Sequence, residues 1–140
     1  MTTLQQILWL LVWWSTIGAV IHSGYAPHYS PGLMARVARN RDLSVVSCMV
    51  SSPRYPVGTW VYVVSLKTQT YEYCRVTDVS NPTRTCKQNL LRCESDRERH
   101  LRTKREVELS YEAALRICGR AAIRDRPEAC PITVVYLGGS

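Results

Sequence analysis

The chain has 140 residues, six of them cysteine, and a formal net charge of +7 at pH 7. That length supports one domain with its own core and excludes two ordinary ones. No internal repeat, coiled coil or low-complexity segment is present, which excludes solenoids and fibrous architectures.

Ile7 to Ile21 is an uncharged apolar run broken by Ser15 and Thr16. A signal-peptide core takes about 7–15 residues and a spanning helix about 20, so residues 1–24 read as an export signal, or as an N-terminal membrane anchor if uncleaved. No Lys or Arg precedes the run, and no small-x-small cleavage site stands out near Gly24. The first cysteine is Cys48, so a lipid-bearing cysteine at the end of the signal is not expected. Residues 25–140 form the expected domain and carry the whole formal charge.

Tyr25–Tyr29 reads as a first strand. Pro31-Gly32 turns it into a helix with Leu33, Met34 and Val37 on one face and Arg36, Arg39 and Arg41 mostly opposite. Leu43–Met49 reads as a strand, followed by a Ser51-Ser52-Pro53 turn. Trp60 to Val64 is apolar at every position, so both of its faces should be buried, as in a small closed barrel. Tyr71–Val76 should pair back on it through Thr68-Gln69-Thr70. Arg75-Val76-Thr77-Asp78 then ends a strand by presenting a carboxylate at its mouth.

Residues 79–104 form a polar loop, expected to be a disulfide-pinched surface excursion. Its span from 83 to 105 holds eight basic side chains (Arg84, Lys87, Arg92, Arg97, Arg99, Arg102, Lys104, Arg105) against Glu94, Asp96 and Glu98. Such a surface concentrates polyanions. Asn81-Pro82-Thr83 is no glycosylation acceptor, because proline holds its middle position. Glu108 ends another strand, Ser110 is the expected N-cap of a helix over Tyr111–Cys118 with Gly119 as its stop, and Ile132–Tyr136 is the last strand.

An even cysteine count beyond an export signal favours disulfides. Many pairings are formally open; the favoured set is Cys86–Cys93 and Cys118–Cys130, each closing a short loop, and Cys48–Cys74 joining two strands. No close Cys-x-x-Cys or His pair offers tetrahedral zinc spacing, so neither metal nor cofactor is expected.

Taken in order, Tyr25-Ala26-Pro27-His28-Tyr29-Ser30-Pro31-Gly32, Pro56-Val57-Gly58-Thr59, Arg75-Val76-Thr77-Asp78 and Glu108-Leu109-Ser110-Tyr111-Glu112-Ala113-Ala114 resemble the RlpA-like double-psi β-barrel family over most of residues 25–137. The resemblance implies a mainly β fold: a six-stranded double-psi β-barrel with short helices and the disulfide-pinched insertion. It also implies extracytoplasmic work on polysaccharide, since the family includes septal lytic transglycosylases and shares its barrel with expansins. Fold alone does not fix function.

Asp78 matches the family's catalytic acid, and Glu108 matches a position usually held by Asp. A protonated carboxyl in a partly apolar cleft can deliver a proton to a glycosidic oxygen. The family histidine four residues before the Pro-x-Gly-Thr turn is replaced by Ser52, whose hydroxyl can orient a sugar but not exchange protons near neutral pH. His100 and His28 are the histidines that would substitute for it. Tyr29 and Tyr111, next to the matched motifs, are the candidates for sugar stacking, whereas Trp60 and Tyr62 should be core.

The expectation is therefore a secreted or cell-envelope protein that binds or remodels cell-wall glycan, peptidoglycan foremost, as a degenerate lytic transglycosylase with Asp78 as general acid or base. The alternative is a non-catalytic, expansin-like or structural polysaccharide-binding module. Anionic polymers are expected to meet residues 83–105, nucleic acid is not an expected partner, and membrane contact is expected only through residues 1–24.

Overall fold

The computed structural model describes residues 2–86, 93–126 and 130–138. Six strands form one mixed sheet: β1 (Val20–Ala26), β2 (Met49–Ser52), β3 (Trp60–Ser65), β4 (Thr70–Val79), β5 (Glu108–Leu109) and β6 (Cys130–Tyr136), in the order β1-β6-β3-β4-β2-β5. Five short helices surround it: α1 (Leu4–Thr16), α2 (Leu33–Asn40), α3 (Asp96–Arg102), α4 (Tyr111–Ile117) and α5 (Arg120–Asp125). The fold is thus mainly β with helical decorations.

Among the described strand pairs β2 and β4 run parallel and the others antiparallel, while the isolated bridges Tyr25↔Arg105 and His28↔Leu109 are parallel. The sheet curls into a half-barrel, and the end of β1 with the segment after it reaches residues 104–109. Tyr25 N–H donates to the Lys104 carbonyl, Glu106 N–H to that of Tyr25, Leu109 N–H to that of Pro27, and Tyr29 N–H to that of Leu109. These bonds satisfy backbone groups that an open edge would leave exposed. Gly24 is required at the approach, because a Cβ there would collide with the Lys104 carbonyl and stand 2.8 Å from Glu106 Cγ. Glu106 is almost fully buried and held by a two-pronged Arg54 guanidinium, at 2.8 and 3.2 Å.

Inside the curl, Val50, Val61, Val63, Val76, Leu109, Ala113, Ala114 and Ile117 form the central core. Alternation along β3 sends Val61 and Val63 inward and Trp60, Tyr62 and Val64 outward. The sequence led us to expect burial on both faces of β3, and α1 supplies the outer cover for part of it. Ile7 and Trp14 pack on Val64, Val135 and Tyr62, with Trp14 stacked on Tyr62 at 4.7 Å. Trp60 lies beyond the cover and is 36% exposed, so it is not core.

Several element boundaries differ from expectation. The first strand is Val20–Ala26 rather than Tyr25–Tyr29, so its first residues lie within the 1–24 segment and pair with β6 from Val20↔Tyr136 onward. The strand expected at Leu43–Met49 is Met49–Ser52 instead, because Leu43 and Val46 leave the sheet to pack with Met34 and Ala38 of α2. The polar excursion contains α3, opened by a capping box in which Ser95 and Glu98 each accept the other's backbone N–H. Residues 87–92 of that excursion, with Lys87 and Arg92, lie outside the described residues. Ser110 occupies the N-cap of α4, but its side chain makes no cap hydrogen bond. The helix ends at Ile117, and after Gly119 α5 begins.

All three favoured disulfides are present: Cys48–Cys74, Cys86–Cys93 and Cys118–Cys130. They are consistent with a secreted protein. Among the described residues, no helix is long and apolar enough to cross a membrane.

Deleting residues 2–24 would strip α1 from Val64 and Val135, both fully buried, and remove most of β1. Each exposed valine forfeits roughly 1.5–3 kcal/mol. The truncated domain should melt about 10 °C or more below the full chain in a thermal unfolding experiment; equal melting temperatures would show that α1 contributes nothing to the fold.

Candidate functional site

β2 lies between β4 and β5, and Ser51 is the register partner of both Asp78 on β4 and Glu108 on β5. Laterally paired residues project to the same face of a sheet, so the two acids flank one serine. A bulge between Val50 and Ser51 sets this register.

Asp78 is richly hydrogen-bonded. Tyr29 Oη donates to its Oδ2 at 2.9 Å, while Arg41 Nη2 and the Val79 N–H donate to its Oδ1 at 2.8 and 3.0 Å. Burial pushes the Tyr29 phenol far up; a hydrogen bond with Ser51 opposes this and the Asp78 charge adds to it. Tyr29 therefore stays protonated and remains a donor.

Glu108 has a different environment. Its Oε1 is 3.3 Å from His100 Nε2, and His100 Nδ1 is 2.7 Å from Ser80 Oγ. Burial raises the Glu108 carboxyl above the usual range, and the negative Asp78 pushes the same way against the opposing Arg105 and Arg99. Burial also lowers His100, helped by Arg99 and Arg105. Both shifts run toward the uncharged forms, so burial weakens the ionic character of this 3.3 Å contact.

Ser80, His100 and Glu108 follow the order of a serine–histidine–acid triad. Ser80 is only 6% exposed, however, and its N–H is bound to the Ser52 carbonyl. A nucleophile must reach its substrate, so here the hydroxyl fixes the imidazole rather than attacking.

The structure brings Asp78, Glu108, Tyr29 and His100 together, and leaves two other expected site residues apart. Ser52, expected to contact substrate, is 1% exposed, and its Oγ accepts the N–H groups of Arg54 and Tyr55. That turn consumes the hydroxyl. Tyr111 packs edge-on against His28 at 5.6 Å. Arg41, Ser51 and Ser80 were not anticipated. In the sequence Ser51 reads as part of a turn and Arg41 as one of the arginines mostly opposite the apolar face of the helix; the topology brings them to the acids.

No family model, curated protein or solved structure matches the chain.

The shifts have opposite consequences for stability. Glu108, raised on folding, contributes stability that is present below the ordinary glutamate range and lost as pH rises through its raised value; His100, depressed, contributes stability that is lost as pH falls through its lowered value. Glu108→Gln should therefore melt above the parent near pH 7–8, with the gap closing toward about pH 4. Thermal scans across that range check this, and a gap independent of pH would rule out a buried, charge-costly carboxyl at Glu108.

Proposed function

We propose that the chain is an extracytoplasmic glycan-directed protein with a double-psi β-barrel, in which Glu108 and Asp78 act as the acid pair on a glycosidic bond of cell-wall polysaccharide, peptidoglycan foremost. The observation that carries this reading is the pair of unlike carboxylates beside Ser51. Acid–base division needs two carboxyls whose surroundings push their protonation apart. Glu108 is largely buried beside the His100 imidazole, while Asp78 accepts from Arg41, Tyr29 and a backbone amide.

The roles consequently differ from those expected on sequence grounds. Glu108, which burial biases toward its protonated form, donates its proton to the leaving glycosidic oxygen. Asp78, held as an acceptor, stabilises the positive charge developing at the anomeric carbon. In a lytic transglycosylase the sugar's own hydroxyl then attacks that carbon and returns its proton to Glu108, closing an anhydro ring without water. His100, fixed by Ser80, orients the Glu108 carboxyl and takes the place in the site that Ser52 does not fill.

A second reading is a non-catalytic, expansin-like or structural binding module. It is favoured by the Arg41–Asp78 ion pair, which already neutralises one acid, and by Ser52 at the family histidine position. In that reading residues 83–105 supply adhesion to anionic polymers. Part of their charge is internally balanced, since Arg84, Arg99 and Arg102 pair with Glu98, Asp96 and Glu94.

Incubation with peptidoglycan, followed by mass spectrometry, separates the two. Anhydro-muramyl products should form and fall by about 100-fold or more in Asp78→Asn and Glu108→Gln. Retained wall binding with no products from the parent protein would decide for the binding module.

A further inference from the structure

One face of α1 is unused by the fold. Ile7 and Trp14 pack on the sheet, while Leu8, Trp9, Val12 and Trp13 turn away from it at 46%, 67%, 58% and 61% exposure. Two tryptophans and two aliphatic side chains in adjacent turns make an apolar surface that a monomer in water would not be expected to display. The helix carries no charged residue. At 13 residues it is too short to span a bilayer, and its packing on β3 and β6 holds it along the outside of the sheet.

We propose that this face of α1 is a lipid-interface surface, lying in the plane of an anionic membrane without crossing it. Two observations favour lipid as the occupant. First, the chain has no phenylalanine, so every exposed aromatic is a tryptophan or tyrosine with a polar edge, the type that sits at headgroup depth. The face continues along a crevice lined by Gln6, Trp9, Trp13 and Tyr71 onto the sheet, where Tyr73 and Trp60 stack at 5.0 Å. Secondly, the net charge of +7 attracts anionic headgroups and opposes the approach of a second, equally charged copy. The aliphatic Leu8 and Val12 beside the rings favour acyl chains over a sugar, which offers hydroxyls around its apolar face.

The strand that follows α1 starts pairing at Val20↔Tyr136, so cleavage near Gly24 would cost the sheet most of β1 as well as the helix. The surface is separate from the Asp78–Glu108 site and does not depend on its chemistry.

The test uses the full chain and vesicles of phosphatidylcholine with and without phosphatidylglycerol, read by co-sedimentation and by quenching of tryptophan fluorescence with brominated lipid. Binding should be stronger to the anionic vesicles and weaken as salt rises. The double variant Trp9→Ser/Trp13→Ser should lose about tenfold or more in affinity with an unchanged melting temperature, since both side chains lie outside the core. No binding to either vesicle overturns the proposal. So does a concentration-dependent dimer that the double variant abolishes in the absence of vesicle binding, which would assign the face to a second copy. Recovery from an exporting host of a chain beginning near Tyr25 overturns it as well, because the helix would then be absent from the mature protein.

Discussion

The four residues of β2 are the constraint on which the rest of the structure depends. All of them are buried, so their backbone groups must find partners on both sides. They do so by pairing parallel to β4 and antiparallel to β5. The Cys48–Cys74 disulfide ties the residue before β2 directly to β4, which limits slippage of a strand otherwise short enough to shift register. A one-residue slip would turn Ser51 to the opposite face and separate the two carboxylates. The bulge at Val50/Ser51 and the neighbouring disulfide therefore belong to the site as much as to the fold.

Much of this could be read from local sequence. The apolar run of β3 with the alternating Tyr71–Val76 after it, the last apolar strand, the helix after Pro31-Gly32 and the favoured disulfide set, two short loops and one link between strands, are all legible there. What escaped were features set by distant contacts. Leu43 and Val46 have strand-like composition, yet α2 offers them a better apolar partner than the sheet does. Val20–Gly24 sat inside an apolar run that hid its strand. α3 does carry a local signal, the capping-box pattern Ser95-Asp96-Arg97-Glu98, set within a densely charged segment. The acids of the site were visible as strand ends, whereas Arg41 and Ser51 carry no local signal because a parallel pairing and a helix terminus bring them in.

The electrostatics of the site show how one scaffold can hold two carboxylates in unlike states. Arg41 reaches Asp78 from just beyond α2, and the phenol of Tyr29 reaches it from the segment after β1. Glu108 has the His100 imidazole at 3.3 Å, with Arg105, Asp78 and Arg99 acting on it through space. Those same arginines hold His100 toward its neutral form. The basic character of residues 93–105 thus has a local effect distinct from any attraction of polyanions: it stabilises a Glu108 anion while disfavouring a charged His100.

The pairing of β1 with β6 joins segments far apart in sequence, Val20 opposite Tyr136. A ribosome delivers the first of these strands long before the second, and contacts so far apart in sequence form late. Until β6 emerges, β1 has no partner on that side, and the apolar side of α1 has neither Val135 nor a finished sheet to rest on. The nascent chain consequently carries α1 unprotected until β6 is made, a period in which a holdase or a lipid surface would shelter it.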